Sequence, residues 1–136
     1  MLKTIVTGLL SFIAGITCYI LTLRIVWGES LGGDADAVLL WGGFAFFLIA
    51  VPIYLVIIKF INTLSLKHTY FFYPISCIMI FFIPTSFILF SFGGVSVSAM
   101  FSPEAMLFHS FFIASGFIFG IVSYMFRKRE VKIPNS

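Results

Sequence analysis

At 136 residues the chain has room for one domain, 1–136. Its hydrophobic fraction is 61% and its charged fraction 10%, against about a quarter charged in ordinary soluble domains, and its mean hydropathy is +1.17. That composition excludes a water-soluble globule, and the net charge of +3 sits at the ends of apolar runs, where it suits lipid headgroups rather than nucleic acid.

The first apolar run predicts a helix over 5–27. Lys3 followed by apolar residues also opens a signal peptide, but this run continues through Leu21, Ile25 and Trp27. A signal core has only about 7–15 apolar residues, so an uncleaved first span is expected. A polar loop with Glu29, Asp34 and Asp36 follows, and then a second span over 38–61 that contains Pro52. A short turn from Asn62 to His68 leads to a third span over 70–92, which carries Pro74 and Pro84. A Gly/Ser-rich loop precedes a fourth span over 105–126, and the basic tail 127–136 ends the chain. Runs near 20 apolar residues match about 30 Å of hydrocarbon at 1.5 Å per helical residue. A barrel strand would be about half as long and would alternate apolar with polar, which these runs do not. The expected fold is therefore an all-α membrane protein, an antiparallel bundle of four transmembrane helices.

Charge predicts the orientation. With the N-terminus in the cytoplasm, Lys3, Lys59, Lys67, Arg127, Lys128, Arg129 and Lys132 fall inside, while Glu29, Asp34, Asp36 and Glu104 fall outside. Arg24 is the exception and is expected to snorkel outward toward Glu29 or Asp34. Bends are expected near Pro52 and Pro84, with Pro74 in a first turn. Tyr70 and Tyr73 at one boundary, and Trp27 and Trp41 at the other, suit interfacial belts.

Gly8, Ser11, Gly15, Cys18 and Thr22 recur at spacings of three and four, which puts five small residues on one helix face. Gly116 and Gly120 form a GxxxG in the fourth span. Small residues let helix backbones approach closely where lipid supplies no hydrophobic drive. These seven positions are candidates for helix contact, within one bundle or with a second membrane protein. Glu104 and His109 form a candidate polar site near the outer end of the fourth span. The acidic loop lacks an EF-hand pattern. Cys18 and Cys77 lie at different depths, so no disulfide is expected.

No span carries a carboxylate or lysine at its centre, as a proton-coupled exporter would need, and no catalytic, cofactor or metal motif is present. Neither enzymatic activity nor a cofactor is expected. The layout resembles the small, uncharacterised four-span membrane proteins of Bacillus-type bacteria. The features that carry this are the Phe/Ile-rich spans, the acidic first loop and the stretch SPEAMLFHSFFIASGFIFG, Ser102 to Gly120, before a basic tail. The resemblance implies a bacterial cytoplasmic-membrane location and assigns no site residues. The expected role is binding within the membrane, to lipid and to a membrane-protein partner or a second copy, as an accessory subunit or an immunity-type protein. A small transporter or pore is the alternative, lined by Ser76, Thr85, Ser86, Ser110, Ser115 and Ser123, as is a holin-like lesion protein.

Overall fold

The computed structural model describes residues 2–33, 35–64, 69–91, 93 and 97–131. Among them the regular structure is entirely helical: α1 (Leu2–Trp27), α2 (Ala35–Phe44), a π-helical segment (Ala45–Ala50), α3 (Val51–Thr63), α4 (Thr69–Met79), α5 (Phe82–Ser91), a short 3-10 helix (Val97–Phe101) and α6 (Pro103–Val131). These elements make four helices long and apolar enough to cross a membrane, Leu2–Trp27, Ala35–Thr63, Tyr70–Ser91 and Pro103–Lys128. They agree with the expected spans to within a few residues, and the fold is the all-α four-helix bundle that the apolar runs require.

Local chemistry explains where the elements stop. Gly28 ends α1 at φ +67°, a left-handed conformation that glycine adopts without a Cβ clash, and its N–H donates to the Arg24 carbonyl at 3.1 Å. Ser102 caps α6 by accepting the Ala105 N–H at 3.2 Å, and Pro103 follows at the first helical position.

The prolines set the irregularities. Pro52 cannot donate to the Leu48 carbonyl, and the turn before it widens to the π form over Ala45–Ala50. Pro84 cannot donate to the Ile80 carbonyl, and the third span breaks there, between Met79 and Phe82. The Ile83 N–H takes that carbonyl instead, at 3.0 Å. Pro74 corrects one expectation. Because α4 begins at Thr69, this proline falls in the second turn, inside the helix.

The bundle is organised around α6, which packs along both α1 and α4. Phe12, Phe46 and Phe111 meet at mid-bundle with ring centroids 5.6–6.0 Å apart. Tyr54 extends this cluster toward Phe119 at 5.0 Å. Outward-facing residues such as Leu10, Ile13, Leu48, Val56, Phe90 and Met125 are exposed, as expected where the solvent is hydrocarbon. Cys18 is half-buried and Cys77 buried, and both are free thiols.

Candidate functional site

The small-residue face of α1 lies against α6. Ser11 and Gly15 are buried, and a Cβ on Gly15 would come within 2.9 Å of the Phe111 ring. Gly8 is buried more loosely, with the Phe47 ring 3.7 Å from a Cβ there. The seam does not continue through Cys18 and Thr22, which are only half-buried. It passes to Tyr19, whose ring packs on Phe108 at 5.5 Å. A tyrosine fills the gap that periodicity assigned to small residues, because a ring with a partner buries more surface than a cysteine.

The GxxxG of α6 lies against α4. A Cβ on Gly116 would sit 2.7 Å from the Cys77 carbonyl oxygen, and one on Gly120 would collide with the backbone of Tyr73 and Pro74. All seven small residues belong to the inside or the flank of this one bundle.

That close approach organises a polar site at the end of the bundle. Arg127 lies seven residues past Gly120, two helical turns on, and so shares its face toward α4. Tyr73 is buried there among the helices and does not face lipid as a belt residue would. Its hydroxyl donates to the Asn62 amide oxygen and accepts from the Arg127 guanidinium at 2.9 Å. Beside this chain lies a cleft of about 380 Å³. Its polar rim includes Lys3, Thr4, Asn62, Ser123 and Arg127, and its apolar wall includes Leu55, Ile58 and Phe119. The lining has two cations and, among the described residues, no acid. In the sequence Arg127 reads only as part of the basic tail and Tyr73 as a belt residue. The heptad from Gly120 to Arg127 was the available sign that the cation turns inward.

The opposite end carries Glu29, Asp36 and Glu104, with Arg24 exposed in the last turn of α1. His109 Nε2 lies 2.9 Å from the Met100 carbonyl and Nδ1 3.2 Å from the Thr85 hydroxyl, and the Phe81 ring meets the imidazole edge-on at 4.8 Å. His109 thus ties α6 to α5 and to the 3-10 helix. Glu104 takes no part in this. Five residues on a helix turn about 500°, leaving it about 140° away, and it lines two neighbouring clefts instead. One of about 510 Å³ has Trp41 and Phe108 as walls, and one of about 400 Å³ also receives Glu29 and Trp27. The expected pair is therefore two separate features. His68 and Asp34 lie outside the described residues, as do the side chain of Arg129 and all of Lys67 and Lys132. Among the described residues no cluster of three metal-ligating side chains occurs.

The hydroxyls disperse rather than converge. Thr85, Ser86, Ser110 and Ser115 each donate to a carbonyl three or four residues back in their own span, at 2.6–3.2 Å. Ser123 lies in the cleft beside Arg127, and Ser76 borders a shallow apolar groove. Between the two ends stand the buried Phe46, Tyr54, Phe111 and Phe112. No family model, curated protein or solved structure matches the chain.

Proposed function

We propose that this is a multi-pass protein of a bacterial cytoplasmic membrane, with both termini in the cytoplasm. In this reading it is non-catalytic and acts by binding a membrane-protein partner or a second copy, as an accessory or immunity-type component. The observation that carries the reading is the closed interior. The aromatic cluster fills the middle of the bundle, and the hydroxyls of Thr85, Ser86, Ser110 and Ser115 bond to their own helices. Among the described residues no buried side-chain nitrogen or oxygen lacks a partner that a substrate would have to supply. The resemblance to small four-span proteins supports the location, and the grouping of Lys3, Lys59, Arg127 and Lys128 at one end supports the orientation.

The test is purification in mild detergent through a tag on the tail, with crosslinking in membranes beforehand. A stoichiometric second protein or a defined homo-oligomer is expected. A lone monomer that also conducts ions in liposomes would sink the binding role. One observation favours the transporter alternative: the π segment and the break before Pro84 each lie in the middle of a span, and the π segment packs against α5, the helix that follows the break. Interrupted helices are recurrent places for substrate sites, and the same liposome assay decides between the two.

A further inference from the structure

We propose that the cleft between Lys3 and Arg127 is a binding site for a phosphate-bearing anion, and that an anionic phospholipid supplies it. The proposal goes beyond the binding role above and does not depend on it.

Three observations support it. The first is charge. Two basic side chains from opposite ends of the sequence share one rim, with Asn62 and Ser123 beside them as hydrogen-bonding neighbours. A guanidinium matches the geometry of phosphate oxygens, and an ammonium adds a point charge.

The second is preorganisation. The Tyr73 hydroxyl, itself held by donating to Asn62, accepts one of the five N–H groups of Arg127 and so fixes the guanidinium at the rim. A long cation on a free surface would lose rotamer entropy on binding, and here much of that ordering is already present.

The third is depth and shape. Lys3 opens the first span and Arg127 is next to last in the fourth, so the rim lies at the level of lipid headgroups. Leu55, Ile58 and Phe119 continue the cleft into the hydrocarbon. A polar rim over an apolar wall accommodates a phosphate with an acyl chain beneath it. A free phosphate would leave that wall uncovered.

Native mass spectrometry of the full chain in mild detergent tests this, with phosphatidylglycerol and phosphatidylcholine of matched chains. Wild type is expected to retain phosphatidylglycerol about ten-fold better, a ratio corresponding to about 1.4 kcal/mol. Arg127→Gln should bring the two lipids to near parity, and Lys3→Gln should reduce the preference. Lys59→Gln, exposed and outside the cleft, should leave it intact. If Arg127→Gln does not fold, Lys3→Gln at the exposed start of α1 carries the test alone. A separate arm adds inorganic phosphate without lipid. Thermal protection by phosphate that Lys3→Gln removes, with no preference among lipids, would keep the anion site and overturn the phospholipid as its source. Equal retention of both lipids by wild type without phosphate protection would overturn the site itself, as would a preference that survives both substitutions.

Discussion

At the scale of single residues, the glycines of this bundle differ in how much room they have, and that difference is measurable. A methyl group added at Gly120 or Gly116 meets the backbone of α4, which cannot rotate away, whereas one at Gly8 makes an ordinary contact with a phenylalanine ring 3.7 Å away. Gly120→Ala and Gly116→Ala are therefore expected to destabilise by about 1–3 kcal/mol through overpacking, and Gly8→Ala to be tolerated. Thermal unfolding in detergent reads the order directly. Equal melting of the Gly8 and Gly120 variants would show that α4 and α6 are not in close contact. The GxxxG spacing made Gly116 and Gly120 visible in the sequence. Tyr73 was misjudged because an aromatic at a span boundary suits either a lipid interface or a packed end. The deciding partners, Asn62 and Arg127, stand 11 and 54 residues away along the chain.

At the scale of elements, the prolines identified which spans would be irregular, because a missing N–H has a fixed consequence four residues upstream. The form each irregularity takes was not legible. Pro52 produces a π-helical turn, Pro84 an interruption, and Pro74 neither. Tertiary packing makes the choice, and it is held in residues remote in sequence. His109 illustrates how elements are then fastened. The Met100 carbonyl can only accept, so Nε2 carries the proton. The Thr85 hydroxyl has one proton to share between Nδ1 and the Phe81 carbonyl. His109→Ala should release the 3-10 helix. Loss of a hydrogen bond of about 1 kcal/mol would raise amide exchange over Val97–Phe101 about five-fold. Unchanged exchange there would mean that other contacts hold the segment. The sequence located His109 near one end of its span but paired it with Glu104, because closeness along the chain says little about the angle around a helix.

For the whole molecule, the apolar runs made the number of spans legible, since a bilayer leaves an exposed backbone few alternatives. The arrangement of the spans was less so. Nothing in the periodicity singled out α6 as the central helix, although its span is the most enclosed, with half of its apolar window buried against 22% for α1. Charge asymmetry makes an expectation that reporters can check. A fusion after Ser136 should report the cytoplasm, and a tag inserted after Gly32, in the exposed loop beyond α1, should be reached by a membrane-impermeant label. The reverse pattern would invert the orientation and would move the cleft at Lys3 and Arg127 to the outer leaflet.

The central position of α6 also has a consequence for biosynthesis. Of the four spans described, the first has its main protein neighbour in the fourth, which is synthesised later. Until the fourth span enters the bilayer, Gly15 lacks its neighbour Phe111, and the third span lacks the surface that Gly116 and Gly120 provide. The first three spans already have contacts with one another, through Phe12 and Phe47 and through the π segment and α5, and the fourth supplies the surface that completes the bundle.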